Sequence, residues 1–409
     1  MSARETILTR LRHRPAATPL HRDFYCRQEE YQVDLDMIWY RDWLFVGHDC
    51  ELQNSGDYFT FQVGDFPVMV VRDREGSLRA YHNTCRHRGS RICSAERGST
   101  PRLVCPYHQW TYALDGRLIA ARDMGSDFDR SQYGLKSVHC TSVGGYIFVC
   151  LGKVAPDFEP IRSHMEPYFA PHKLHQTKVA FVSTTVENAN WKLVWENNRE
   201  CYHCAANHAE LIRTFSEDPA VTGVSGTGGD PHIAAKVAHW ETIGLPSQFK
   251  ISGSGQYRTA RVPLIEGAVA FTMSGKAAVK RPLADTIGEK DIGSLLLFHY
   301  PTTWNHIMGD HAISFRLLPL SPTQTQLTTK WLVHKDAVEG VDYDLKELTE
   351  VWIATNAADK RICQENQIGV TSPAYDPAPY SLVHEDGSAQ FVDWYASQLE
   401  GRLVEDADR

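Results

Sequence analysis

Cys85-Arg86-His87 and Cys105-Pro106-Tyr107-His108, divided by the seventeen-residue spacer 88–104, give the chain two thiolates and two imidazoles in a fixed order. A [2Fe–2S] centre of the Rieske type places two Cys on one iron and two His on the other, and the neutral imidazoles raise its reduction potential. Each short cluster offers one ligand per iron, as a pair of facing loops would. Gly89, Gly98 and Pro106 suit the tight turns such loops need. Cys2His2 is also a zinc ligand set. Zinc fingers, however, pair C-x2-4-C with H-x3-5-H, whereas here each cluster mixes one Cys with one His.

A second grouping lies in "NRECYHCAANHAEL", where four residues separate His203 from His208. The two reach one metal if the helix deforms or ends between them. Two neutral His and one carboxylate form the facial triad of non-haem Fe(II) oxygenases, with positions left open for O₂ and substrate. Alone, such a pair could equally be structural. Beside an electron-transfer cluster, a second iron is the better reading. Cys201 and Cys204 form a C-x2-C in the same stretch but lack the strand–turn–helix setting of a redox dithiol. They and the other cysteines outside the cluster read as reduced thiols of a cytoplasmic protein. His82, His139, His164, His172, His232 and His306 have no partners at metal spacing and read as surface or core residues.

The elements that must hold these groups follow from hydrophobic period. "DYFTFQVGDFPVMVV" (57–71) and "GGYIFVCL" (144–151) predict short antiparallel strands flanking the ligand loops. They frame an all-β iron–sulfur domain over 42–155, which ends at the polar, Pro-containing "GKVAPDFEPI". Residues 1–41 form an N-terminal segment that begins with a short helix before Pro15. Residues 156–409 form a catalytic domain: "HMEPYFAPHKL" as a connecting helix, "KVAFVSTTVE" as a strand, then "WKLVWENNRECYHC" at helical spacing. Residues 218–260, rich in Gly, Ser, Asp and Pro, suggest a long irregular excursion. Candidate strands at 268–273, 292–300, 306–318 and 325–334 could form one antiparallel sheet. The longest helical pattern spans 343–370, with Leu345, Leu348, Val351, Trp352 and Thr355 on one stripe, and Pro373, Pro377 and Pro379 stop it. The fold class is α+β.

With 409 residues and 42% hydrophobic content, the chain can build two cores. A net charge of −8 without a basic stripe argues against nucleic-acid binding. No run of eighteen apolar residues predicts a membrane span. No G-x-G-x-x-G follows a strand, so electrons must come from a separate NAD(P)H-dependent flavin or iron–sulfur reductase.

Over nearly its whole length the chain resembles the oxygenase (alpha) subunit of Rieske non-haem iron oxygenases. The family pattern is C-x-H, a spacer, C-x2-H, an acidic residue three before the first His of H-x4-H, and a later Asp on a C-terminal helix. It falls on Cys85, His87, Cys105, His108, Glu200, His203, His208 and Asp359. The resemblance implies a helix-grip catalytic domain, Asp359 as third iron ligand with Glu365 as the fallback, and a homotrimer. Glu200 would then bridge the cluster His of one subunit to the iron His of the next. Most members have Asp there, and Glu resembles the branch that attacks quaternary ammonium compounds.

"FHYPTTWNHIMGDH", "TTKWLVHKDAVEGVDYD" and "SPAYDPAPYS" resemble the betaine N-demethylases, which act on glycine betaine or stachydrine, and more distantly carnitine-type monooxygenases. Hydroxylation of an N-methyl group would release formaldehyde. An aromatic-ring hydroxylating dioxygenase is the alternative, and a pure electron-transfer protein a third. A quaternary ammonium is recognised by aromatic faces. Trp195, Tyr202, Phe298, Tyr300 and Trp304 are candidates for that cage. Asn197, Arg199, Arg258 or Arg261 could receive the carboxylate. Asn197, Tyr202 and Trp304 are the preferred substrate contacts.

Overall fold

The alternation over 57–71 becomes a hairpin, Asp57–Val63 paired with Phe66–Arg72, in which Val63 faces Phe66 across a two-residue turn. Gly64 occupies that turn at φ +52°, in the left-handed region that glycine enters without steric cost. The computed structural model describes residues 3–218, 231–283 and 289–406. Its contacts separate two units, Trp39–Phe158 on one hand and Met1–Ile38 with Glu159–Arg409 on the other.

In the first unit a seven-stranded antiparallel sheet runs in the order Leu44–His48, Tyr146–Cys150, Ser137–Val143, Leu78–His82, Phe66–Arg72, Asp57–Val63 and Arg97–Ser99. A small sheet of Leu103–Val104, Thr111–Tyr112 and Leu118–Ala120 accompanies it. Between the sheets sits a core of Met69, Val71, Tyr81, Leu103, Tyr112 and Leu114 that also encloses Cys85 and Cys105.

The second unit is built on another seven-stranded antiparallel sheet. Its order is Thr177–Glu187, Gln324–His334, His311–Ser321, Thr303–Ile307, Ser294–His299, Tyr257–Val262 and Lys250–Ile251. The long helix Leu345–Thr371 starts where the Asp344 side chain accepts the Glu347 N–H, satisfying one of the orphan amides of the first turn. It buries Leu348, Val351, Trp352 and Thr355, as the apolar stripe predicts. The helix Trp191–Asn198 is capped likewise, by Asn190 accepting the Lys192 N–H. Fully buried Lys192 pairs with Asp34, which also accepts from Trp191 Nε1 at 3.0 Å and Tyr395 Oη at 2.6 Å. This knot ties the N-terminal segment and the last helix, Asp386–Glu405, to the helix that precedes the iron-binding stretch.

Three expectations fail. Residues 268–273 are not a strand: turns at Gly267 and Gly275, both at positive φ, fold the segment onto itself, and Val269 donates to the Gly275 carbonyl. The span 306–318 is two strands, Thr303–Ile307 and His311–Ser321, turned at Met308. The excursion at 218–260 carries a helix, Pro231–Thr242, whose buried Ile233, Val237 and Trp240 lie at helical spacing. Local Gly and Ser richness masked that spacing. Residues 219–230 lie outside the described residues.

Buried His164, with Nε2 3.0 Å from Thr259 Oγ1, has its pKa lowered to about 4 by burial, with Lys250 adding to the effect. Between that value and the ordinary 6.5 the unfolded chain binds the extra proton, so stability falls as pH drops through this window. A shift of this size corresponds to about 3 kcal/mol. The unfolding midpoint of the holoprotein should therefore fall between pH 6.5 and 4, and His164→Gln should flatten part of that slope.

Candidate iron–sulfur and mononuclear iron sites

The two cluster loops share one backbone pattern. The Cys85 carbonyl accepts from the Gly89 N–H and its own N–H donates to the Ser90 carbonyl; Cys105 does the same with Gln109 and Trp110. Gly89 (φ +76°) and Gln109 (φ +60°) take the left-handed turn that closes each loop. Both thiols are buried, whereas His87 is exposed and His108 half-exposed. The imidazoles meet with centroids 4.7 Å apart, and His87 stacks on Trp110 at 4.8 Å. Tyr112 Oη lies 3.4 Å from Cys85 Sγ. Paired inner sulfurs and outer imidazoles suit a two-iron centre with unlike ends, and the one-Cys, one-His loops supply each end once.

In the second unit the helix Trp191–Asn198 stops, residues 199–203 turn, and a single helical turn, Cys204–Asn207, follows. That break brings His203 and His208 to one point, with ring centroids 5.0 Å apart. Asp359, from the middle of the long helix, faces them: its Oδ1 is 3.3 Å from His203 Nε2 and 2.9 Å from His208 Nε2. At 2.9 Å the His208–Asp359 pair is still not aligned as a hydrogen bond. Donors bound at about 2.1 Å and near right angles around one metal lie about 3 Å from one another, so the residues fit a mononuclear ion. Glu200 Oε1 accepts from His203 Nδ1 at 2.6 Å and fixes the ring's tautomer and orientation. Burial opposes charge on His203, but Asp359 and Glu200 outweigh it and raise its pKa to about 9. Neighbouring elements brace the long helix around Asp359: Thr355 donates to Glu210, Asn356 to Thr329 and Arg361 to Asn207.

Beside the triad opens a cavity of about 100 Å³. Its wall combines Leu296, Phe298, Trp304 and His306 from the sheet with Phe215 and Trp352. Trp304 and His306 alternate onto one face of their strand, and His306 stacks on Trp352 at 4.6 Å. Burial drives the His306 pKa down to about 3, leaving a neutral ring.

Of the preferred contacts, Trp304 and Asn197 line the cavity, with Asn197 Nδ2 3.3 Å from His203 Nε2. Tyr202 does not: it is largely exposed and stacks on His384. The turn that aims His203 inward carries Tyr202 outward. Trp195 and Tyr300 are fully buried behind the wall, and Arg261 is spent on His172 and the Ile292 carbonyl. Glu365, the fallback ligand, is exposed. Cys201 and Cys204 are joined in a disulfide rather than kept as reduced thiols, and their Cα atoms lie 5.0 Å apart, within the span of such a bond. His306 and Trp352, not singled out as contacts from sequence, are part of the wall. Trp352 was legible as a member of the buried stripe, without a sign of which cavity it faced.

The pattern of the ring-hydroxylating alpha-subunit catalytic domain matches residues 170–401, and that of the Rieske [2Fe-2S] domain matches 42–139. The chain belongs to the Rieske oxygenase alpha-subunit family. As a member of that family it takes a Rieske cluster and a mononuclear non-haem iron. The glycine betaine monooxygenase oxygenase subunit of Pseudomonas aeruginosa strain UCBPP-PA14 is 45% identical over 99% of this chain and 94% of its own length. Among solved structures, the quaternary ammonium Rieske monooxygenase CntA bound to an inhibitor superposes with a TM-score of 0.72 at 19% identity, covering 96% of this chain and 98% of that one. Naphthalene 1,2-dioxygenase from Rhodococcus sp. superposes equally, with a TM-score of 0.72 at 17% identity and 98% of each chain covered. The Rieske oxygenase fold is thus common to both chemistries and does not choose between them.

Hydrogen bonds to a cluster's sulfur ligands raise its potential by stabilising the reduced, more negative state. Tyr112→Phe should lower the potential by tens of millivolts, the size expected for a bond worth about 1 kcal/mol in a one-electron couple. A redox titration followed by the visible bands checks this, and an unchanged potential would remove Tyr112 from the cluster's surroundings.

Proposed function

We propose that the chain is the oxygenase component of a monooxygenase that removes an N-methyl group from a betaine, with glycine betaine the first candidate. The observation that carries this reading is the 45% identity, maintained over 99% of the chain, to a glycine betaine monooxygenase subunit. The cavity supports it. About 100 Å³ lies well below the roughly 300–1,000 Å³ of pockets for drug-sized ligands and suits a small substrate. The indole rings of Trp304 and Trp352 supply the cation–π surface that a quaternary ammonium, unable to hydrogen-bond, requires.

When bound, the two iron groups supply O₂ activation: two electrons and two protons join one O₂, one oxygen atom enters an N-methyl C–H bond and the other leaves as water. The N-hydroxymethyl ammonium compound then parts into formaldehyde and a tertiary amine. In this reading His203, His208 and Asp359 hold the mononuclear iron, and Cys85, His87, Cys105 and His108 hold the cluster. Glu200 keeps His203 in its ligating orientation. The aromatic wall excludes water and places the methyl group against the triad. Electrons come from a separate NAD(P)H-dependent reductase. The family resemblance supports a homotrimer in which Glu200 links its His203 to His108 of a neighbouring subunit. Among the described residues no helix is long and apolar enough to cross a membrane.

Purified protein with a reductase should release formaldehyde from glycine betaine with matching O₂ uptake; a cis-diol from an arene would overturn the reading. His208→Ala and Asp359→Ala should each abolish turnover and lose the mononuclear iron while the cluster's visible bands persist. Retained turnover would instead favour a pure electron carrier. Glu200→Gln should keep both metals but slow single-turnover electron transfer at least tenfold, and an unchanged rate would exclude the bridge.

A further inference from the structure

Two arginines share the cavity with the iron triad: Arg199, just past the end of the helix Trp191–Asn198, and Arg258, on the strand Tyr257–Val262. They are only 6% and 5% exposed. Their guanidinium carbons lie over the Phe298 ring, 4.3 and 5.1 Å from its centroid. Arg199 Nε donates to Tyr300 Oη at 2.8 Å, but its Nη2 has no partner, and neither does Arg258 Nε. Among the described residues no carboxylate lies within ion-pairing distance of either.

Buried charges are ordinarily paired, since a lone one gives up hydration without return. Here two like charges stand together. Burial, and then Arg199, push the Arg258 pKa down to about 9, against the weaker pull of Tyr300 and Asp386. The fork of a guanidinium matches the two oxygens of a carboxylate. Arg261, whose Nε also lacks a partner, is held by His172 and the Ile292 carbonyl and does not line the cavity.

Resting on the betaine reading above, the geometry points to Arg199 and Arg258 as the substrate's carboxylate anchor, set in the same cavity as the triad that receives its N-methyl end. The pair thereby selects zwitterions over cations that carry only the trimethylammonium group. Choline, with a hydroxyl in place of the carboxylate, is the matched control.

Isothermal titration of oxidised holoenzyme with glycine betaine, choline and acetate tests this. Wild type should bind glycine betaine at least tenfold more tightly than choline. Arg258→Met and Arg199→Met should each weaken glycine betaine about 10- to 100-fold, the range for a lost hydrogen bond to a charged group, and shift choline much less. Arg258→Lys, which keeps the charge without the fork, should fall between and covers the case in which the Met variant fails to assemble its cluster. Equal binding of choline and glycine betaine by wild type, or glycine betaine binding unmoved in the variants, overturns the anchor. Formaldehyde assays on the same wild-type sample separate the two ideas. No formaldehyde from any betaine defeats the demethylase reading, whereas acetate binding that disappears in Arg258→Met still supports the anchor.

Discussion

His203 Nε2, His208 Nε2 and Asp359 Oδ1 can serve one metal only if the surrounding structure holds all three side chains together. His208 and Asp359 show this most directly, lying 2.9 Å apart without hydrogen-bond alignment. The means of holding are distributed. A helix break frees His203 and His208 from the regular helical path, Glu200 pins the far nitrogen of His203, and side chains flanking Asp359 tie its helix to the sheet and to the ligand turn. Each bond is worth only about 0.5–1.5 kcal/mol net. Together they fix a rotamer set that would relax without them. The Asp34–Lys192 knot anchors the start of the helix Trp191–Asn198, which is why the N-terminal segment belongs with the catalytic unit.

The cluster loops solve a similar problem with backbone turns, braced by the Asn83 side chain, which accepts from the Ile92 and Cys93 N–H groups. Two identical turns, one closed by Gly89 and the other by Gln109, place the sulfurs in an apolar core and the imidazoles at its edge. The solvent contrast between the ends is thus a property of the chain path.

Much of this was legible in the residues. Ligands sit at fixed spacing, and Cys85 to His108 needed only recognition of loop chemistry. The stripe ending in Thr355 foretold the long helix because a buried face leaves a strong period. Substrate contacts were far less legible. Tyr202 and Trp304 are both aromatic residues near the iron, yet one faces solvent and the other the cavity. Which way a residue points after a helix break depends on local dihedrals that no period encodes. The Cys201–Cys204 link was no more legible, since whether two nearby thiols turn toward each other depends on the same local dihedrals. The helix at 231–242 was hidden by its Gly-rich surroundings, although Ile233, Val237 and Trp240 carried its signal.

Phe298 gains a meaning from its neighbours. Its ring lies beneath both guanidiniums, and its strand also helps form the wall beside the iron triad. A hollow with one end fixed by charge and the other by metal donors acts as a gauge. It measures the separation between a ligand's carboxylate and its methyl groups. Homologous betaines, alike in their functional groups and differing only in the number of methylenes between them, are then sorted by reach before any bond is broken.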